Sequence, residues 1–158
     1  MKQFLCWPKA LSIIRSPYQP RDSVMKLDTS SFEKAIARLE EGLIRYKKDI
    51  TDTQIRDGLI QRFEFTYELA HKMLKRFLEA TSPTPALFDE MNFQDLIRTG
   101  NEQNLLLNDW SVWRKYRAMR SKTSHTYDED IALEVVAGIP EFIEEAQHLC
   151  DQLRKRLT

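Results

Sequence analysis

Thr53-Gln-Ile-Arg-Asp-Gly-Leu-Ile-Gln-Arg-Phe-Glu-Phe-Thr-Tyr-Glu-Leu-Ala-His-Lys-Met-Leu-Lys-Arg-Phe77 decides the fold class. Ile55, Leu59, Phe63, Tyr67, Ala70, Leu74 and Phe77 recur at spacings of three and four, so a 3.6-residue turn lines them up as one apolar stripe. Thr53 stands where an N-cap belongs, and Thr81-Ser-Pro-Thr-Pro85 closes the run. Upstream, Ser30-Ser-Phe-Glu33 reads as a capping box, followed by Phe32, Ile36, Leu39, Leu43 and Tyr46 to about Ile50. Downstream, a short helix is expected near Asn92–Thr99, with Gly100 as its stop. Asp109 can cap a helix from Trp110 to about Ser124, with Val112, Tyr116 and Met119 on one face. Thr126-Tyr-Asp-Glu129 repeats the capping-box pattern. The last helix then carries Ile131, Val135, Ile139, Phe142, Ala146, Leu149 and Leu153, its stripe continuing past Gly138 and Pro140 as a kink rather than a stop. No alternating apolar run reads as a strand. The expectation is an all-α protein, an antiparallel up-and-down four-helix bundle with an additional short helix.

Composition narrows the setting. At 158 residues the chain suits one domain, burying roughly two-thirds of its unfolded surface. Charged residues make up 30%, mean hydropathy is −0.52, and no run approaches the ~18 apolar residues of a membrane span. Cys6 and Cys150 offer neither a zinc pattern nor a disulfide framework, which points to a reducing cytoplasm. Residues 1–24 hold Lys2, Lys9, Arg15 and Arg21 against Asp22, so the rest of this formally neutral chain is net acidic. Three of the six prolines fall in residues 1–26, which show no helical period. That stretch reads as a poorly structured tail, with Met25 as a candidate true start, ahead of a helical domain over residues 27–158. It makes a poor secretory signal, because Pro8 and Lys9 interrupt its apolar run.

Arg120-Ser-Lys-Thr-Ser-His-Thr-Tyr127 is the stretch that carries chemistry. It gathers a permanent cation, a group titrating near neutrality and a phenol where a basic helix gives way to a turn. Arginine holds phosphate oxygens, histidine moves protons at cellular pH, and a tyrosine hydroxyl becomes a nucleophile once deprotonated. Arg114, Lys115, Arg117, Arg120 and Lys122 form a basic run with no acid between Trp110 and Tyr127, so phosphate chemistry without a metal or other cofactor from this chain is expected. Trp110, Trp113, Arg117 and Arg120 roughly share a side, mixing rings with guanidinium groups as base stacking and phosphate contact require. The plainer reading is a basic helix end that complements the helix dipole, with the tryptophans simply packed.

Two Glu-x-x-His pairs, Glu68 with His71 and Glu145 with His148, invite a di-iron reading. Their phases argue against it: Glu68 lies with Gln61, Glu64 and Lys72, and Glu145 and His148 lie with Glu141 and Gln152, both read as solvated faces. Phe65 and Tyr67 widen the apolar stripe between Glu64 and Lys75, which fits either a subunit interface or a broad core stripe. The four glycines are scattered, so no phosphate-binding loop exists, and no Ser/His/acid or Cys/His arrangement stands out.

Arg-x4-His-x-Tyr at the end of the third long helix resembles the HEPN superfamily. More narrowly the chain resembles the nucleotidyltransferase substrate-binding protein family, through Arg62-Phe-Glu-Phe-Thr-Tyr-Glu-Leu-Ala-His-Lys72, Asp95-Leu-Ile-Arg98, Trp113 and Arg120 through Glu129. The resemblance runs from about Leu27 to the C-terminus. It implies a homodimeric bundle with its Arg120 and His125 motifs near the dimer cleft, working as the substrate- or nucleotide-binding subunit of a separate minimal nucleotidyltransferase. It also implies a nucleotide/phosphate-binding set of Arg117, Arg120, Lys122, His125 and Tyr127, and a partner interface at Phe65, Glu68 and Trp113. The alternative it carries is a toxin–antitoxin pair, in which Arg120 and His125 are the catalytic residues of a metal-independent ribonuclease. The nucleotidyltransferase would then silence it by placing AMP on Tyr127. Ser121 departs from the family, which often has asparagine or another strongly polar residue after the arginine. A third possibility is an interaction module with a degenerate site.

Overall fold

The computed structural model describes residues 27–157, so the predicted tail at 1–26 lies outside the described residues. Among the described residues there are five α-helices: α1 Ser30–Lys48, α2 Thr53–Thr81, α3 Phe93–Glu102, α4 Trp110–Lys122 and α5 Glu129–Leu157. Short 3-10 turns lie at Pro85–Phe88 and Thr123–His125. The described residues contain no strand, and among them no helix is long and apolar enough to cross a membrane. The all-α expectation holds.

Each helix starts where a short polar side chain takes up orphan amides, although often not at the predicted position. Asp52, not Thr53, caps α2, accepting from Gln54 N at 3.0 Å and Ile55 N at 3.1 Å. At α1 the predicted capping box does not form: the N-cap is Thr29, whose hydroxyl donates to Glu33 Oε1 at 2.8 Å, and it is Asp28 Oδ1 that accepts from the Ser30 amide at 2.8 Å. Asp128 rather than Thr126 caps α5. Asn92 and Asp109 cap α3 and α4, the latter as predicted. Gly100 does not stop α3. It lies buried inside the helix, where a Cβ would come within 3.0 Å of Leu74 Cδ1, so the glycine lets α3 approach α2 closely. The actual stop is Asn104, in the left-handed region at φ 58°. Leu105 N donates to Gly100 O and Asn104 N to Asn101 O, each at 2.9 Å, a Schellman closure whose following leucine is buried.

The turn at Asp49–Asp52 sends α2 back along α1, where Thr66 Oγ1 donates to Ala35 O at 3.4 Å and Arg62 Nη1 to Arg38 O at 2.6 Å. Both helices pack on α5, which also holds α4. The centre is aromatic. Phe142 of α5 meets Phe63 at 5.0 Å and Tyr116 at 5.3 Å, both edge-on, and Trp113 meets Tyr116 at 5.5 Å. Such pairs contribute about 0.5–1.5 kcal/mol each beyond their buried area. The α5 helix runs unbroken through Pro140.

Two sequence expectations are corrected here. Trp113, read as an interface residue, is 0% exposed in this core, so no partner touches it without opening the bundle. Glu145, read as part of a solvated face, is also 0% exposed. It stands three residues after Phe142 and four before Leu149, squarely on the α5 core stripe. Its carboxylate accepts from Leu107 N at 2.9 Å, Asn108 N at 3.0 Å and Asn108 Nδ2 at 2.7 Å. Glu145 thereby fastens the α3–α4 connection to α5, and so sets where α4 begins.

Candidate functional site

Arg120, Lys122, His125 and Tyr127 all fall at the joint where α4 tightens into the Thr123–His125 turn before α5. Thr123 makes that joint. It is buried, its hydroxyl donates back to Arg120 O at 2.8 Å, and the same oxygen accepts from Arg120 Nη1 at 3.1 Å. The guanidinium is therefore held at its own helix end.

The other side of that guanidinium faces α2. Arg120 Nη2 reaches Glu64 Oε1 at 3.0 Å, and Glu68 Oε1 accepts from both Nε, at 3.2 Å, and Nη2. Glu64 and Glu68 are one helical turn apart, so a single planar fork spans both. The hydrogen bonding of Arg120 to Glu68, reinforced by the Glu64 charge, raises the Arg120 pKa further above its already high value despite partial burial. Glu68, expected at a partner interface, is thus engaged within the protomer by Arg120.

His125 and Tyr127 lie beyond the fork, both exposed. Their rings are 6.3 Å apart, edge to face, and Tyr127 is 89% exposed, more than any other large apolar or aromatic side chain described. The contrast with Tyr67 is chemical. Burial pushes the Tyr67 phenol up to about 12, against the pull of Arg117 and Arg120, so it stays protonated and out of reach while Tyr127 stands open to a reactant. Lys122 pairs with Glu134 of α5. Arg117, one turn earlier on α4, lays its guanidinium over the Phe93 ring at 5.4 Å, a cation–π contact. On the neighbouring edge of α2, Phe65 is 58% exposed. The structure thus brings Arg120, Lys122, His125 and Tyr127 to one end, sets Arg117 just behind them, and places Phe65 on another helix edge.

Two supporting groups were not read from the sequence. Glu64 was seen only as part of a polar face, and nothing in helical periodicity says that it meets α4. Arg56 is 6% exposed, and its Nη1 meets Glu129 Oε1 at 2.7 Å, which ties the first turn of α5 to α2 two residues past Tyr127. A buried cation in a predicted core helix is the only signal that could have singled it out.

His71, edge-on to Phe93 at 4.8 Å, gives a pH prediction. Burial first, then the charges of Lys75 and Arg117, lower its pKa. The folded state therefore prefers the neutral ring: its contribution is fully present above the unfolded value near ~6.5 and is lost as pH falls below that through the lower folded value. Chemical melts of native chain and His71→Gln should diverge between about pH 7 and about pH 5, the native chain losing more. Parallel pH dependences would refute the assignment.

Comparison with known proteins places this geometry in context. The model of the family described as nucleotidyltransferase substrate binding protein like matches residues 27–155. A curated Haemophilus influenzae protein described as a probable ribonuclease HepT is 35% identical over 139 residues, covering 83% of this chain and 94% of that one. A solved Haemophilus influenzae structure, described as revealing the fold of a substrate-binding domain of a nucleotidyltransferase, superposes with a TM-score of 0.76 at 33% identity. The match takes in 80% of this chain and 99% of that chain.

Proposed function

Because the chain belongs to the nucleotidyltransferase substrate-binding-protein-like family, we propose that it is the nucleotide- and substrate-binding subunit of a two-component minimal nucleotidyltransferase, acting in the cytoplasm as a homodimer. Residues 27–158 form the functional unit. Arg120, with Arg117 and Lys122 near it, holds the phosphate, and His125 contacts or moves a proton at the same group. Tyr127 receives the transferred nucleotidyl group. The observation that carries this reading is the joint itself: a phenol 89% exposed, a histidine ring 6.3 Å away, and a guanidinium clamped at the end of the preceding helix.

The transfer is chemically complete with a partner enzyme and a nucleoside triphosphate. Tyr127 Oη attacks the α-phosphorus, the new O–P bond forms, the bond to pyrophosphate breaks, and the phenol proton leaves to a base such as His125. Co-expression with the nucleotidyltransferase, followed by peptide mass spectrometry, is expected to find one or more nucleotidyl groups on Tyr127 and none in Tyr127→Phe. An unmodified Tyr127 in an active pair would refute the transfer.

The relative described as a probable ribonuclease favours a second reading on the same residues, a toxin ribonuclease silenced by AMP on Tyr127. His125 would serve as general base or acid, worth about 10²–10⁴-fold, and Arg120 would stabilise the phosphorane charge. Labelled RNA incubated in EDTA is cleaved by the native chain and spared by His125→Ala if this reading holds. Native protein that leaves RNA intact removes it.

A further inference from the structure

A groove of about 560 Å³ lies between α1 and α2, away from Tyr127, within the ~300–1,000 Å³ range of small-molecule sites. Ala35 and Gly58 form its floor, Lys34, Arg38 and Arg62 supply charge, and the exposed ring of Phe65 stands on its wall.

The charges around this groove are segregated. Among the described residues none of the three cations forms an ion pair. Lys34 and Arg38 sit one turn apart on α1, a repulsive spacing, and Arg62 projects from α2 onto the Arg38 carbonyl. The acids of both helices have other partners, Asp57 meeting Arg56 and Glu79 meeting Lys75. Glu33 reaches Arg154 of α5, Glu40 meets Gln147, Glu41 lies along its own helix against Arg45, and Glu64 and Glu68 hold Arg120. Asp28, whose charge Lys34 feels, accepts from the Ser30 amide at 2.8 Å. Three cations without an ion pair over an apolar floor leave a place for an anion, and an exposed aromatic face beside them leaves a place for a ring.

We propose that the α1–α2 groove is a second ligand site, distinct from the Arg120–Tyr127 joint, which takes a phosphate ester carried on a nucleobase: the phosphate on Lys34, Arg38 and Arg62, the base on Phe65. A free mononucleotide and one unit of a single strand share that chemistry. The proposal stands on the groove alone and does not depend on the role given to Tyr127.

Gly58 supplies a clean test. It is a helix-interior glycine whose added Cβ would meet nothing within 4 Å, so Gly58→Leu fills the groove while improving helix propensity. The probes are AMP, inorganic phosphate and a short oligoadenylate, titrated onto the full chain at low salt. Gly58→Leu and the surface pair Lys34→Glu with Arg38→Glu should each weaken AMP at least tenfold, with Gly58→Leu melting no lower than the native chain. Phe65→Ala should erase the preference for AMP over phosphate. Arg120→Ala with His125→Ala should leave this groove component in place. Oligoadenylate binding much tighter than AMP, with a steeper salt dependence, assigns the site to a strand; equal affinity assigns it to the mononucleotide. The proposal falls if both groove variants bind AMP normally, or if phosphate alone binds as well as AMP. It also falls if the groove variants change the oligomeric mass and leave AMP affinity intact, since the groove would then be a face between copies.

Discussion

Glu145→Ala is expected to lower the stability of the bundle by roughly 3 kcal/mol or more, although the side chain lies far from the Arg120 joint. Three donors converge on that carboxylate, two of them backbone amides of the α3–α4 connection. A buried donor left unsatisfied costs about 1–3 kcal/mol, and partial access of water around the half-exposed Leu107 keeps the sum near the lower end. For a domain of this size the melting temperature should fall by about 10 °C. Glu145→Gln keeps the shape and one acceptor oxygen and should lose much less. The pair also reports a charge effect. Burial raises the Glu145 pKa, and the hydrogen bonds from Asn108 and Leu107 only partly oppose it. The folded state thus prefers the protonated acid. Its contribution is fully present below the unfolded value near ~4.3 and is lost as pH rises through the higher folded value. Urea melts at about pH 4 and about pH 7 should therefore show the native advantage over Glu145→Gln shrinking as pH rises. An alanine variant as stable as the native chain would mean that the α3–α4 connection finds other acceptors.

Glu145 also shows where the sequence was misread. The stripe Val135, Ile139, Phe142, Ala146, Leu149 fixed α5 correctly, and Glu145 lies on that same phase. Its charge argued for solvent, and the amides that make burial tolerable belong to residues 37 and 38 positions away, beyond any periodic signal. Trp113 fails in the same direction. Its spacing from Arg117 suggested a ring free for stacking, yet Phe142, Tyr116 and Phe93 enclose it. Helix spans were legible because apolar spacing is a property of one helix. Caps were legible only to within a residue or two, because Thr29 and Ser30, Asp52 and Thr53, or Thr126 and Asp128 are all competent cap residues. Which one takes the boundary is set by the backbone around it. At the joint, residue types within Arg120–Tyr127 were readable, whereas the Glu64–Glu68 clamp joins segments 52 residues apart for the Glu68 contact and follows only from how α2 and α4 pack.

That clamp makes Arg120→Ala the variant with the largest expected functional loss. Removing one well-placed donor to a phosphoryl oxygen costs about 10²–10³-fold. Here the deletion also leaves Glu64 and Glu68 facing the site without their counter-charge, so repulsion of the incoming phosphate adds to the lost contact. Stability should move by less than about 1 kcal/mol, because the ion pairs are partly exposed and screened. Arg120→Lys should recover only part of the function, since an ammonium cannot fork across both carboxylates while also reaching Thr123. Adding Glu64→Gln and Glu68→Gln to Arg120→Ala should restore a portion of the loss by removing the repulsion. In the native background, Glu68→Gln should tighten AMP binding at the joint several-fold, because the carboxylate competes with phosphate for the same Nε and Nη2 donors. Titration of each variant with AMP in the Gly58→Leu background isolates the joint from the α1–α2 groove. If Glu68→Gln weakens binding instead, the two carboxylates act by aiming the guanidinium, and orientation rather than competition governs what Arg120 does.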